Sequence, residues 1–289
     1  MSIPTKSLKN DFTIPEFGLG TWKIGGAREY DPNNDDEADI KVIQTAVDLG
    51  VTHIDTAESY AEGYAEKLVG QAIKKYERKK LFITSKVSGD NLSYTQVLKA
   101  CQQSLERLQT PYLDLYLIHR YNPNFSLKKT IKALDKLAAE GLIKNIGVSN
   151  FNTAHLQEIQ SYTENKIVCN QVHYNLRFRE PEKDGLLEYC QNNDVLLMAW
   201  RPLKEAMILE EVPDIIKKLG DKYQKTPAQI ALNWLISQLN VVTISKTGSK
   251  EHLQDNLGAV GWRMDKEDIE YLRKKFPNQE DVSDVVPLG

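Results

Sequence analysis

The sequence of 289 residues has few cysteines, no long apolar run and no apolar leader. Its three cysteines (Cys101, Cys169 and Cys190) are an odd number without the spacing of metal ligands, which favours buried thiols in a reducing compartment over a disulfide framework. No apolar run approaches the roughly 18 residues that a membrane span needs, and the first residues lack the apolar core of a signal peptide. We therefore expect a cytoplasmic protein without a membrane partner.

An excess of basic charge is also missing. The chain has 37 Lys and Arg against 40 Asp and Glu, a formal net charge of −3, which argues against nucleic acid as the main partner. With 41% hydrophobic and 27% charged residues, the composition is typical of a folded protein with a sizeable core. The length by itself allows one α/β barrel or two domains of ordinary size.

Short apolar runs alternate with segments of helical periodicity along the chain, as in a parallel sheet with crossover helices. The eight strand candidates are residues 17–22, 51–55, 81–86, 113–119, 143–149, 167–172, 195–200 and 241–246. The helix candidates are residues 36–49, 63–77, 93–108, 127–140, 153–162, 183–193, 212–222 with 227–239, and 250–258. Residues 264–276 predict a terminal helix on the outside, followed by a polar tail.

The alternation favours one closed (β/α)8 TIM barrel, a single domain over residues 1–289. No Pro/Gly/Ser-rich linker divides the chain, and the G-x-G-x-x-G fingerprint of a doubly wound dinucleotide-binding sheet is missing, since Gly18-Leu19-Gly20 and Gly25-Gly26 have other spacings. In such barrels the chemistry takes place at the carboxyl ends of the strands.

Polar and aromatic residues follow nearly every predicted strand. A barrel rim is polar in any case, so each of these residues taken alone is more often structural than catalytic. A carboxylate, an ammonium and an imidazole at three consecutive strand ends are more informative, because they would share one cavity where an unpaired charge is costly. We expect Asp55 to pair with Lys86. The residues at the strand ends are Thr21, Trp22, Asp55, Lys86, His119, Ser149, Asn150, Gln171, Trp200 and Lys246.

Tyr60 follows Asp55 closely enough for the loop to fold it over the barrel mouth. A phenol is a weak acid at neutral pH, and we expect the ammonium of Lys86 to lower its pKa and make it a usable proton donor. For an isolated tyrosine, a buried ring with a satisfied hydroxyl is the more frequent role.

Five segments resemble the aldo-keto reductase family, and the resemblance covers essentially the whole chain. They are GVTHIDTAESY, ITSK, LYLIH, IGVSNF and NQVHYN. The resemblance implies a (β/α)8 barrel that reduces an aldehyde or ketone with NADPH, without a metal and without a Rossmann fold. The implied catalytic tetrad is Asp55, Tyr60, Lys86 and His119.

The resemblance also implies a cofactor site. Ser149, Asn150 and Gln171 would bind the nicotinamide carboxamide, and Trp200 would stack on the ring where the family usually has a tyrosine; simple core packing is the alternative for Trp200. Further implied cofactor contacts come from Thr21, Trp22, Arg201, Pro202 and Leu203.

The segment ISKTGSKEHLQDN resembles the family's phosphate-recognition stretch. At matching positions it has Lys246, Thr247, Ser249 and Asn256. Where many members have an arginine, this chain has His252, a weaker and pH-dependent cation, which keeps NADH as a second candidate cofactor. Lys250 is expected to belong to a solvated face.

The expected substrate contacts are Trp22, Tyr60, His119 and Arg120. Arg120 and Tyr121 follow His119 where the family commonly has tryptophan, so Arg120 would attract an anionic substrate group or pair with a surface acid. The loop of residues 25–34 is expected to add a second wall to the substrate pocket. The remaining histidines fit packing or surface roles: His53, His155 and His173.

Two other functions share these features. One is an NADPH-binding regulatory subunit of a partner protein with little turnover, since such relatives also retain the tetrad. The other is a Schiff-base aldolase with Lys86 as nucleophile, which leaves Tyr60 and the predicted nicotinamide contacts without roles.

Overall fold

The eight predicted apolar runs form the parallel strands of a closed barrel. This follows from a computed structural model that describes residues 2–203 and 212–289. The strands neighbour each other in the order β10-β3-β4-β5-β6-β7-β8-β9, which confirms the predicted fold. With a preceding hairpin of β1 (Thr5–Ser7) and β2 (Thr13–Pro15), the strands are β3 (Phe17–Gly20), β4 (His53–Asp55), β5 (Phe82–Val87), β6 (Leu115–Ile118), β7 (Ile146–Ser149), β8 (Ile167–His173), β9 (Leu196–Trp200) and β10 (Val241–Ser245).

The predicted strand bounds differ from the observed ones mostly by one to three residues. The run 113–119 shortens to β6 because Leu113 makes only an isolated bridge to Ile143, and because the Asp114 carboxylate accepts hydrogen bonds from Arg78 and from the Ile83 N–H. Side-chain contacts of this kind carry no signal in hydrophobic periodicity.

Helices fill the intervals between the strands. The helix predicted over 183–193 is present as Leu186–Asn192; it begins three residues later because Gly185 has φ = 76° and separates it from the short helix Glu180–Lys183. A predicted start at Pro227 is confirmed, since Thr226 and Gln229 form a capping box around it. The helices of the described residues are Asp36–Asp48, Tyr64–Ile73, Tyr94–Leu108, Leu127–Ala139, Thr153–Gln160, Glu180–Lys183, Leu186–Asn192, Asp214–Tyr223, Pro227–Ile236, Lys250–Leu257 and Lys266–Lys275.

The alternating side chains of each strand divide the core into two parts. Leu115 and Leu117 belong to the cluster inside the barrel, whereas Tyr116 and Ile118 pack outward against the helices. The hairpin β1–β2 adds apolar side chains to the inner cluster, and Phe12 packs edge-on against Phe82 at 6.0 Å between ring centroids. The hairpin was not predicted, because strands of three residues are too short to show a period.

The segment after the last helix, predicted only as a polar tail, is held by contacts with the barrel. Glu280 bridges to Phe178, the Ser283 hydroxyl lies 2.8 Å from Nδ1 of His173, and Gly289 donates from its N–H to the Asn150 carbonyl at 3.0 Å. The tail therefore packs along the loops that follow β7 and β8. None of the helices in the two described ranges is both long and apolar enough to cross a membrane.

Two glycines of β3 differ in the room that they leave for a methyl group. A Cβ at Gly18 would lie 2.4 Å from Nδ1 of the buried His53, whose Nε2 is hydrogen-bonded to Thr84, whereas a Cβ at Gly20 would meet its nearest atoms at 3.8 Å. We expect Gly18→Ala to lower the free energy of unfolding in urea by about 2 kcal/mol, because the core there is already full. Gly20→Ala is the matched control, and equal losses in the two variants would contradict this explanation.

Candidate active site

The pairing of neighbouring strands brings Asp55 and Lys86 together inside the barrel. Asp55 pairs with Thr84 across β4 and β5, and Lys86 pairs with Leu117, whose side chain lies in the inner cluster. Since side chains alternate along a strand, Thr84 and Lys86 point to the same inner side. The Lys86 Nζ lies 2.5 Å from Oδ1 of Asp55, and both side chains are buried. The predicted pair is confirmed.

The Lys86 ammonium uses its three donors in three directions. Besides Asp55, it donates to the Thr56 carbonyl at 2.8 Å and to Oη of Tyr60 at 3.2 Å. Burial by itself lowers the pKa of Lys86, but the Asp55 carboxylate and the Tyr60 oxygen raise it above its ordinary value. Lys86 is therefore a cation at neutral pH, held so that one N–H faces the phenol.

The pKa of Tyr60 moves opposite to the prediction. Burial raises the pKa of the Tyr60 phenol above its ordinary value and the Asp55 carboxylate adds to this, whereas Lys86 lowers it. The ammonium lowers the pKa as predicted, but the net shift is upward, because the prediction left out the burial of the site and the Asp55 carboxylate. Tyr60 accordingly carries its proton at neutral pH, and within the described residues that proton has no acceptor.

Gln171 lies beside Asp55, a contact that the sequence did not predict. Its side-chain amide donates to Oδ2 of Asp55 at 2.7 Å and contacts Sδ of Met198 at 2.9 Å. Both Asp55 oxygens therefore have partners, one from Lys86 and one from Gln171. The Thr21 hydroxyl donates to the Asp55 carbonyl at 3.0 Å, so Thr21 supports the same residue from its backbone side.

Tyr60 is held over the barrel mouth by rings and by backbone. Its ring packs edge-on against Trp22 at 5.0 Å and against His119 at 5.6 Å. Directly after it, Ala61 and Glu62 have φ of 47° and 55°, a left-handed conformation that costs about 1–2 kcal/mol per residue. The loop of residues 25–34 stabilises these residues, since Ala61 and Glu62 donate from their N–H groups to the carbonyls of residues 27 and 28.

His119 faces Tyr60 from the end of β6. Burial lowers the pKa of His119 to about 3, and the positive charges of Lys86 and Arg120 add to this. Its Nδ1 lies 3.1 Å from the Ser59 hydroxyl, and its carbonyl accepts from the Asn150 side chain at 3.1 Å. The imidazole is therefore neutral at neutral pH. Ser59 was not among the predicted residues, although its hydroxyl directly before Tyr60 is a signal that the sequence shows.

The predicted nicotinamide contacts form one connected group at the ends of β7, β8 and β9. The Asn150 side chain donates to the Ser149 hydroxyl at 2.9 Å and accepts from the Trp200 indole N–H at 3.1 Å. Trp200 is partly exposed and stacks on the buried His173 at 4.5 Å with an angle of 15° between the rings. One face of the indole is thus supported by protein. His173 has the packing role that was predicted.

The residues that follow Trp200 lie at the rim. Arg201 is exposed and has φ = 50°, and its carbonyl accepts from Asn175 at 2.8 Å. Pro202 is buried and Leu203 is partly buried. These three residues come directly before residues 204–211, which lie outside the described residues.

The predicted phosphate-binding stretch is a turn that leads from β10 into the helix Lys250–Leu257. The Thr247 hydroxyl donates to the Ser249 carbonyl at 3.1 Å, and the Ser249 hydroxyl caps the helix by accepting from the His252 N–H at 3.1 Å. Asn256 is buried and lies 3.4 Å from the Ser245 hydroxyl. The turn is formed by its own side chains, and it leaves the Lys246 ammonium and the His252 imidazole exposed to solvent.

Arg120 takes the second of its two predicted roles. It pairs with Asp90 at 3.2 Å, and both side chains are largely exposed. His155 stacks on Tyr121 at 3.8 Å, and His53 lies buried against Phe82, in agreement with their predicted packing roles. Of the four predicted substrate contacts, the structure brings together Trp22, Tyr60 and His119 and directs Arg120 to the surface pair.

A family model described as the Aldo/keto reductase family matches residues 16–276, which is most of the chain. The chain therefore belongs to the aldo/keto reductase family. This confirms the family that the motifs predicted and, with it, an oxidoreductase on a (β/α)8 barrel.

Individual relatives are similar over most of their length. The methylglyoxal reductase YeaE of Escherichia coli (strain K12) is 35% identical over 271 residues, which cover 92% of this chain and 93% of the relative. The glyoxal reductase of Bacillus subtilis (strain 168) is 36% identical over 270 residues, covering 93% and 91%. A crystal structure of an aldo-keto reductase from Klebsiella pneumoniae in complex with NADPH is 35% identical, has a TM-score of 0.84 and covers 98% of each chain.

Proposed function

We propose that the protein reduces small aldehydes or ketones with NADPH and that Tyr60 donates the proton. The observation that carries this proposal is the hydrogen bond from Lys86 to Oη of Tyr60, at 3.2 Å. Because the oxygen accepts from an ammonium, the phenol's own proton is left for a ligand, and the ammonium stabilises the oxygen as that proton leaves.

Each residue of the predicted tetrad has a separate task in this reaction. Lys86 raises the acidity of the phenol relative to the same buried phenol without a cation, and Asp55 fixes Lys86 by accepting one of its hydrogens. His119, neutral in this site, donates a hydrogen bond to the carbonyl oxygen of the substrate. Trp22 packs on Tyr60 and limits the directions from which a carbonyl reaches the phenol.

The residues at the barrel mouth fit NADPH. One hydroxyl and two amides lie at the ends of β7 and β8, which are the kinds of group that pair with a carboxamide. The indole of Trp200, partly exposed and stacked on His173, suits an aromatic ring. Lys246 provides an exposed ammonium for a phosphate, and the exposed imidazole of His252 is a hydrogen-bonding group in the helix that follows. When bound, NADPH supplies the hydride. The crystal structures of similar aldo-keto reductases with NADPH or NADP support this choice of cofactor.

The substrates that we propose are small aldehydes, with glyoxal and methylglyoxal first. The support comes from two similar proteins, a methylglyoxal reductase with 35% identity and a glyoxal reductase with 36% identity. The test is NADPH oxidation by the purified protein, followed through the absorbance of the reduced nicotinamide. The substrates compared are glyoxal, methylglyoxal, and aromatic, sugar and carboxylated aldehydes. Absence of turnover with every aldehyde would overturn the proposal.

NADPH oxidation and borohydride trapping together separate the proposal from the two other functions. The comparisons do not support the regulatory subunit, for which NADPH would bind without rapid oxidation. An aldolase that uses Lys86 would be trapped covalently by borohydride in the presence of a carbonyl compound. We expect no such adduct, because the Lys86 ammonium is committed to three acceptors.

Three further properties are proposals as well: the location, the domain organisation and the partners. The three cysteines are buried thiols, which supports a reducing, cytoplasmic location. We also propose that residues 1–289 form one barrel domain that acts on a small carbonyl compound, without nucleic acid as a partner.

Lys246 offers a test of cofactor preference. We expect Lys246→Met to raise the Kd for NADPH about tenfold and to leave that for NADH unchanged, because a charge-assisted bond to the 2′-phosphate would be lost. Fluorescence titration with each cofactor measures this. Lys250→Met, which removes an exposed charge on the following helix, is the matched control. Equal losses for both cofactors would contradict a role at the 2′-phosphate.

A further inference from the structure

Ser59 lies directly before Tyr60, and its side chain contacts His119. The Ser59 hydroxyl is 3.1 Å from Nδ1 of the imidazole. Among residues 2–203 and 212–289, the Ser59 side chain makes this one hydrogen bond, and Nε2 of His119 has no hydrogen-bond partner. The backbone of His119 is fixed separately, because its N–H donates to the Val87 carbonyl at 2.9 Å and its carbonyl accepts from Asn150. Ser59 is therefore positioned to act on the ring itself.

A neutral imidazole carries one proton, and its position decides what the ring can do for a carbonyl. If the Ser59 hydroxyl donates to Nδ1, the proton is on Nε2, and Nε2 can donate a hydrogen bond to the carbonyl oxygen. If Nδ1 carries the proton, Nε2 presents a lone pair, which would repel the negative charge that develops on this oxygen. Only the first tautomer stabilises the transition state.

The surroundings favour the first arrangement. The cations Lys86 and Arg120, together with burial, keep the pKa of His119 near 3, so the ring holds a single proton at neutral pH. A hydroxyl that donates to Nδ1 uses its own proton in that bond. In either arrangement one proton lacks a protein acceptor among the described residues: the Nε2 proton in the first and the Ser59 proton in the reverse. Only the Nε2 proton belongs to the ring that packs on Tyr60, where the carbonyl oxygen of a substrate would accept it.

We propose that Ser59 is a positioning residue that holds His119 in the tautomer protonated at Nε2, so that His119 donates to the carbonyl oxygen of the substrate. This inference rests on the proposed carbonyl reduction. It adds a fifth side chain to the predicted tetrad, one that acts through His119 and does not touch the substrate.

The tautomer is directly measurable in the whole protein. Long-range ¹H–¹⁵N correlation spectra of protein labelled at histidine distinguish protonated from unprotonated ring nitrogens, and the signals that disappear in His119→Gln identify His119. We expect Nδ1 unprotonated and Nε2 protonated in the wild type and in Ser59→Thr. In Ser59→Val, which matches the threonine in size but lacks the hydroxyl, we expect the two nitrogen shifts to move toward each other.

The same pair of variants gives a kinetic readout. A lost hydrogen bond of ordinary strength corresponds to about a tenfold effect, so we expect kcat to fall about tenfold in Ser59→Val and to be kept within about twofold in Ser59→Thr. The Kd for NADPH is expected to stay unchanged in both variants. If Ser59 had a purely structural role, kcat would fall equally in both variants, or the melting temperature would change together with the NADPH affinity.

The outcomes separate the two proposals. Protonation at Nδ1 in the wild type, or equal kcat in the valine and threonine variants, would overturn the role of Ser59 and leave carbonyl reduction intact. If the wild type reduced no carbonyl, the proposed function would fail, and the spectra of the wild type would still decide the tautomer. Because the wild-type spectrum needs no variant, misfolding of Ser59→Val would not remove the test.

Discussion

In Tyr60→Phe, we expect the rate of carbonyl reduction to fall about 1000-fold, a loss within the usual range for removal of a general acid. We expect NADPH binding to be kept. The phenylalanine preserves the ring contacts with Trp22 and His119 and removes only the oxygen that accepts from Lys86. Steady-state kinetics with methylglyoxal, together with fluorescence titration of NADPH, measure the two quantities separately.

Tyr76 provides the matched control for this variant. Its hydroxyl donates to Asp48 and to the Gln44 carbonyl on the outer helices, so Tyr76→Phe removes an oxygen of the same kind outside the barrel. We expect its kcat to equal that of the wild type. Turnover of Tyr60→Phe at the wild-type rate would refute the role of Tyr60 as proton donor.

The second large effect is expected for Lys86→Met. The Asp55 carboxylate would then be buried without its cation, which costs about 3–5 kcal/mol in buried pairs. We expect the free energy of unfolding in urea to fall by this amount and kcat to fall at least about 100-fold, since the phenol also loses its ammonium. Asp55→Asn combined with Lys86→Met is expected to be less destabilised than the sum of the single variants, because it leaves no unpaired charge.

The loss of folding free energy in Lys86→Met is expected to depend on pH. In the wild type, burial raises the pKa of Asp55 while the Lys86 ammonium and the Gln171 amide oppose this. Without the ammonium that pKa rises further, so the folded variant retains a proton that the unfolded chain releases above pH of about 4. The free energy of unfolding of the variant therefore falls as pH rises above this value, and its deficit is larger at pH 7 than at pH 4.

A surface pair serves as the control for Lys86. The exposed pair of Lys136 and Glu140 is broken by Lys136→Met, which we expect to change the free energy of unfolding by less than about 1 kcal/mol at either pH. A similar loss in the two methionine variants would show that Asp55 is not held as a buried charge.

The sequence predicted those features of the barrel that are repeated or local. Eight apolar runs predicted eight strands, because a strand buried on both faces must be apolar along its length. The end of a parallel strand is a fixed place in a barrel, so Asp55 and Lys86 could be predicted to meet. Bounds were less accurate where a side chain ended the strand, as Asp114 does before β6.

Contacts that depend on the direction of a side chain were not predictable in this way. The effect of Lys86 on the pKa of Tyr60 was predicted, but the direction of the net shift was not, because it also depends on burial and on Asp55. The carboxyl-terminal segment was predicted as a polar tail, because its own sequence does not show that it packs against β8.

The sequence by itself predicted the closed barrel and the family, and it singled out the four residues of the proposed tetrad, since each of these depends on short segments of fixed spacing. Tertiary structure alone decided that Gln171 supports Asp55 across 116 positions and that Ser59 contacts His119 across 60. The physical reason is barrel closure, which brings distant strand ends to one cavity and fixes the directions of their side chains, whereas periodicity records only which face of one strand is buried.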